Sequence, residues 1–261
     1  MIQQLRSLFR FRLLISSLVG RELKARYRGS VLGFFWSFIN PLLLLLTYGL
    51  VFTYMLPVQR GPETEPYFLF LFCGILPWTW FSASLMESTG VLIAGGNLIK
   101  KVLFPAEVLP VVTVLANLIH FLLGLPILIL FLVLKGHLTG TALLLPVPIA
   151  VQLLLTLGLS LLVSSLSVYF RDIQNILTHV LQLWFFATPV LYPYSQAGGI
   201  MHTLLRFNPM THVLVGYQDL LFYGVLPPWK GLLGAVVFGL LAFALGAFVF
   251  DRLRDSLAEE V

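Results

Sequence analysis

The chain has 261 residues, of which 59% are hydrophobic and 10% charged, and its formal net charge is +5. A soluble domain carries about 25% charged residues, so the composition excludes that class and indicates a polytopic membrane protein. One cysteine, Cys73, excludes an intrachain disulfide, and no Cys/His spacing marks a metal site.

Residues 1–30 read as a cytoplasmic lead that ends in an amphipathic interfacial helix. No short apolar core with a small-residue cleavage site follows the first arginines, so a removed signal peptide is not expected. On a helix, Arg21, Lys24 and Arg28 share one face, and Val19, Leu23 and Tyr27 the other. Glu22 and Arg26 stand at i,i+4. Such a helix lies on a membrane, its apolar side among acyl chains and its cations at the headgroups. Gly29 and Gly33 predict a joint, and Phe34, Phe35 and Trp36 an interfacial aromatic belt before the first span.

The transmembrane domain is expected over residues 31–250. Its spans are predicted at roughly Val31–Leu56, Tyr67–Ala94, Ala106–Leu134, Thr141–Phe170, Ile173–Leu191 and Gly231–Phe250. Pro41 predicts a kink in the first span, and Pro77 leaves the second either continuous with tilt or broken. Residues 194–229 are cut by glycines and prolines into pieces too short to cross, which predicts an outer re-entrant pair of half-helices. Residues 251–261 form a charged tail. Lys and Arg favour a topology with both termini cytoplasmic: twelve of the 16 fall on that side and four, Arg60, Lys135, Arg206 and Lys230, on the outer side.

No P-loop occurs, so the chain does not bind and hydrolyse ATP by that route. Among the acidic residues only Glu87 sits within a span, and His120 is the one ionisable group near mid-membrane; neither has a sequence-local partner. An ion-coupled carrier needs several such carboxylates. Asp172 and His179 are too isolated for a membrane-embedded transferase. Glu87 reads as an interfacial carboxylate paired with a basic loop, and His120 as a neutral imidazole bonded to a neighbouring helix.

Aromatic clusters at Phe34–Trp36, Trp78–Phe81, Trp184–Phe186 and Tyr192/Tyr194 serve as anchors and packing. The sharper reading makes Phe35, Trp36, Trp184, Phe185 and Tyr192 a sliding surface for a sugar polymer, because ring faces stack on sugar C–H faces without fixed register. In residues 95–105, Lys100 and Lys101 stand among apolar Leu98, Ile99, Val102 and Leu103. That stretch is either an interfacial helix end or a short docking helix for a cytoplasmic partner.

RELKARYRGSVLGFFWSFINPLL, GILPWTWFSASL, IKKVLFPAEVLP, YFRDIQNILTHVLQLWFFATPVLYP and NPMTHVLVGYQDLLFYG, in that order, resemble the permease subunits of ABC-2-type polysaccharide exporters. These include the O-antigen permeases and their teichoic-acid relatives. The resemblance implies an all-α integral membrane protein with the ABC-2, or type V exporter, fold: six spans, the interface helix, and the re-entrant half-helices before the last span. It implies a homodimer in the inner membrane paired with separate nucleotide-binding subunits that hold the ATP and Mg, so this chain is no enzyme and carries no cofactor. Leu98, Lys100, Lys101, Phe104 and Pro105 would couple to that subunit. The first and fifth spans would line the channel, and the substrate would be a polysaccharide on a polyprenyl pyrophosphate. Arg21, Lys24, Arg26 and Arg28 are at headgroup depth, either to attract that pyrophosphate or to orient the first span. Capsule, teichoic acid, a small lipid or a drug are alternative cargoes, and an ion-coupled carrier is the alternative class.

Overall fold

The structure is a computed structural model and describes residues 10–51, 62–100 and 104–260, the side chains of Pro62 and of 254–260 excepted. Lys101 and the expected end of the first span at Leu56 lie outside the described residues.

Helix α1, Arg12–Arg26, falls where the interface helix is expected. Its apolar side is not left to acyl chains, as the amphipathic pattern had suggested. Ile15, Leu18 and Val19 are buried against Val108, Val111 and Val112, because a second apolar helix start lies within reach. Gly29 and Gly33 both adopt positive φ, 81° and 49°, and make the predicted joint. A 3-10 turn, Gly33–Phe35, then leads into α2, Trp36–Leu50, which runs unbroken through Pro41.

Helix α3, Tyr67–Ala94, is continuous through Pro77. It is the central column: most of its apolar stretch is buried, whereas little of the segment holding α2 is. Phe70, Phe72, Trp80 and Phe81 are enclosed along it. Proline removes one N–H from the ladder, yet the helix does not break there. Gln152 Nε2 donates to the Pro77 carbonyl at 2.8 Å from inside the bundle.

After a four-residue helical turn, Gly96–Ile99, come α4, Val108–Leu134, and α5, Pro146–Tyr169, both within the predicted third and fourth spans. The last helix, α9, covers Trp229–Glu260. The expected tail therefore continues as helix, because nothing in Asp251–Glu260 breaks it. Helices α5 and α9 meet where Gly158 and Gly246 remove side chains; a Cβ on either would overlap the other helix's backbone. Small residues at such a seam let backbones approach closely.

The expected fifth span is shorter than its apolar run. Helix α6, Ile173–Phe186, has 14 residues, about 21 Å at 1.5 Å each, against a hydrocarbon core of about 30 Å. It stops because Pro189 bars further helix at residue 188 and because its freed end is capped from elsewhere. Asn208 Nδ2 donates to the Ala187 carbonyl at 2.7 Å and to Thr188 Oγ1 at 2.9 Å. Among the described residues, five helices are long and apolar enough to cross a membrane: Gly33–Leu50, Tyr67–Ala94, Val108–Leu134, Gly140–Tyr169 and Trp229–Leu253. The segment after α6 folds into two short helices, α7, Gly199–Phe207, and α8, Pro209–Gln218, followed by a π turn, Asp219–Tyr223.

Candidate functional site

The predicted site residues sort into three places. The first is a polar junction at the C-terminal turn of α1. Arg26 Nε lies 3.5 Å from Glu22 Oε1, as the i,i+4 spacing predicts. Its Nη2 is ion-paired with Glu87 Oε2 of α3, and its Nη1 donates to Asn117 Oδ1 of α4 at 3.0 Å. Asn117 Nδ2 closes the triangle on Glu87 Oε2 at 2.7 Å. Glu87 therefore pairs with the interface helix itself, not with a basic loop. One residue on, Tyr27 O–H is 3.2 Å from His120 Nδ1 of α4 and accepts from Ser37 Oγ of α2 at 2.8 Å. One turn of α1 is thus tied to α2, α3 and α4.

A cavity of about 360 Å³ lies beside this junction, lined by Arg26, Tyr27, Trp36, Asn40, Glu87 and His120 among others. Arg26 faces two carboxylates, so it is committed to them, whereas Arg21, Lys24 and Arg28 are exposed. Of the four predicted headgroup cations, three keep that availability.

The second place is a larger cavity of about 600 Å³ between α2, α3 and α6. Tyr48, Trp78, Phe185 and Phe186 supply its rings, and Ser82, Thr178 and Gln182 its hydrogen-bonding groups. Of the five predicted channel aromatics, Phe185 alone lines it. Trp184 turns the other way: its Nε1 donates to Asn208 Oδ1 at 2.9 Å and its ring meets Phe81 edge-on at 5.2 Å between centroids. Tyr192 O–H donates to the Phe186 carbonyl at 2.9 Å. Trp36 donates to Ser30 Oγ at 3.0 Å, across the Gly29–Gly33 joint, and Phe35 is 70% exposed beside it.

Sequence reading missed Thr178 and Gln182. Their signal was present as polar residues at i, i+4 and i+8 from Gln174, which share one face of the helix. The outer face of α6 is polar along this strip and apolar at Ile176, Val180 and Leu183, all exposed. The exposed residues of α2, including Leu42, Leu43 and Leu46, add to the uncovered apolar surface.

The third place is residues 95–105. Lys100 is exposed, whereas Leu98 and Phe104 pack beneath it with Leu92, Ala106 and Phe250, and Pro105 is buried. The apolar members of the predicted docking set therefore anchor the segment to the bundle, and the described cation faces out. Among the described residues no group of three or more His, Cys, Asp or Glu could hold a metal ion.

The chain is 39% identical to the O-antigen export system permease protein RfbA of Myxococcus xanthus, with both proteins covered over their full length. It is 31% identical to the protein of that name from Klebsiella pneumoniae, over 94% of each. The polysialic acid transport protein KpsM of Escherichia coli is 22% identical, over 93% of this chain and 94% of its own. The family profile described as ABC-2 type transporter matches residues 14–222, the greater part of the sequence. On that match and those identities, the chain belongs to the ABC-2 type transporter family.

Proposed function

We propose that the chain is the transmembrane permease subunit of an ATP-driven exporter that moves a polyprenyl-pyrophosphate-linked polysaccharide across the cytoplasmic membrane, with both termini cytoplasmic. The observation that carries this reading is the 600 Å³ cavity of mixed aromatic and hydrogen-bonding lining on a face where α2 and α6 remain uncovered. Rings stack on sugar faces, and Ser82, Thr178 and Gln182 exchange hydrogen bonds with hydroxyls. A second copy of the chain set against α2 and α6 would turn this half-lined groove into an enclosed path. Cargo permeases of the O-antigen type are named among the relatives, and the reading takes its substrate class from them.

The mechanism is gating. A separate nucleotide-binding subunit, holding the ATP and Mg, closes on ATP and moves Lys100, Lys101 and α1. The Arg26–Glu87–Asn117 triangle and the Tyr27 contacts carry that displacement into α2, α3 and α4. Arg21, Lys24 and Arg28 hold the pyrophosphate at the entrance. The chain itself supplies walls and levers and no chemical step.

The test is purification from native membranes in mild detergent, followed by reconstitution. A co-purifying P-loop ATPase and ATP-dependent movement of a lipid-linked glycan into proteoliposomes are expected. An intact permease with no ATPase, whose transport collapses with the proton gradient, overturns the reading in favour of an ion-coupled carrier. ATP-dependent movement of a small lipid or drug without any requirement for polymer overturns the substrate class.

A further inference from the structure

The end of the bundle opposite α1 holds a third cavity, of about 260 Å³, lined by Tyr194, His202, Arg206, His212 and the backbone around Pro228 and Gly231. No Asp or Glu lines it. The carboxylate of Glu63 accepts instead from Gln196 Nε2 at 2.9 Å. The Arg206 guanidinium makes no hydrogen bond or ion pair among the described residues. Its backbone carbonyl accepts from His212 Nε2 at 2.9 Å, which holds that ring at the cavity wall. Gly231 leaves the ring its place, since a Cβ there would overlap the imidazole. His202 Nε2 is 3.3 Å from the Tyr194 hydroxyl, with the two rings 5.3 Å apart. An unpaired cation with imidazole and phenol groups around it, and no acid in the lining, is a receptor for an anion.

The helix that carries Arg206 indicates where the anion comes from. On α7, Ile200, Leu204 and Phe207 stand at i, i+4 and i+7 and are 82%, 54% and 80% exposed. That stripe is the apolar face of an interfacial helix, whose polar face lies at headgroup level. Arg206 is also one of only four cations that the charge bias assigns to the outer side. The geometry points to a binding site for the phosphate of a phospholipid headgroup in the outer leaflet, held by the Arg206 fork with His202 and Tyr194, its acyl chains along Ile200, Leu204 and Phe207. This site fixes the short helices α7 and α8 to the membrane surface. It rests on the membrane-spanning reading of the long helices and is independent of what is exported.

The experiment places the full-length permease in nanodiscs of phosphate-free galactolipid doped with phosphatidylglycerol bearing a photoreactive headgroup. Crosslinks are mapped by peptide. Labelling within residues 194–212 is expected, lowered about tenfold or more by Arg206→Gln, as loss of a charge-assisted hydrogen-bond fork implies. If Arg206→Gln fails to insert, Arg206→Lys, which keeps the charge and loses the fork, is expected to lower labelling by a smaller factor. Equal labelling of wild type and variant, or labels confined to the Arg21–Arg28 end, overturns the site. Labelling abolished by soluble glucuronate in excess also overturns it, in favour of an acidic saccharide as the anion.

Discussion

Arg26 and Glu87 are 61 residues apart in sequence and share an ion pair, with Asn117 hydrogen-bonded to both. The pair ties helix α1 by charge to the span bundle. The Arg26 side chain is 22% and the Glu87 side chain 40% exposed, so removing one partner costs about 1 kcal/mol, well below the cost for a fully buried pair. Arg26→Ala and Glu87→Ala are each expected to lower the thermal midpoint in detergent, and the double variant by less than the sum. The exchanged pair Arg26→Glu with Glu87→Arg should recover part of the loss. Additive effects in the double-variant cycle would show that the two residues do not act together.

Trp184 and Phe185 are neighbours with opposite duties. Trp184→Phe deletes the hydrogen bond to Asn208 and is expected to lower stability by about 1 kcal/mol, while loosening the attachment of α8 to the end of α6. Phe185→Ala is expected to slow polymer export several-fold with little change in thermal midpoint, because Phe185 borders the open cavity. Export kinetics and melting curves on both variants check the division. Normal export by Phe185→Ala would count against that cavity as the path.

At the α5–α9 seam, Gly158→Leu or Gly246→Leu forces side-chain atoms into backbone. Overpacking without room to shift costs about 1–3 kcal/mol or more, so folded yield should fall sharply by fluorescence-detection chromatography. Gly234→Leu, on the same helix with no atom within 4 Å of its Cβ position, is the control and should express normally.

Lys100 is exposed over an anchored apolar base of Leu98 and Phe104. Charge reversal at Lys100 and Lys101 is expected to lower permease-dependent stimulation of the partner ATPase several-fold while insertion stays intact. Leu98→Ala and Phe104→Ala should act differently, by destabilising the segment. An unaltered ATPase and unaltered export in the reversed variant would remove the docking role.

Glu63 is held below its ordinary value of 4.5 by its own backbone hydrogen bond and by the Gln196 amide. A lowered carboxylate contributes above the unfolded value and loses its contribution as pH falls through the folded one. The Glu63–Gln196 tether should therefore be constant from pH 6 to 8 and release only below about pH 4.5. Proteolysis near residues 62–66, followed against pH, is expected to rise only in that acid range. Glu63→Ala should show the accelerated cleavage at neutral pH.

The second, third, fourth and last long apolar helices were legible because they depend on local quantities. Tyr67–Ala94 was read to the residue, and the Gly29–Gly33 joint and the Glu22–Arg26 pair follow from spacing alone. The residues that do most to organise the site were not legible, because their partners are distant in sequence and share no period with them. Nothing local to Glu87 reveals Arg26, and nothing local to Trp184 reveals Asn208. A polar atom withdrawn from water must find some partner, but which partner depends on which helices lie side by side. The same holds for α6: its apolar run is long enough to be read as a span, and only the contacts of Asn208 and the position of Pro189 end it at Phe186. Composition and the run of apolar segments determined that this chain lives in a membrane. Tertiary packing decided which aromatic rings line an open cavity and which are fastened to a neighbouring helix, since a ring's role follows from what stands across from it.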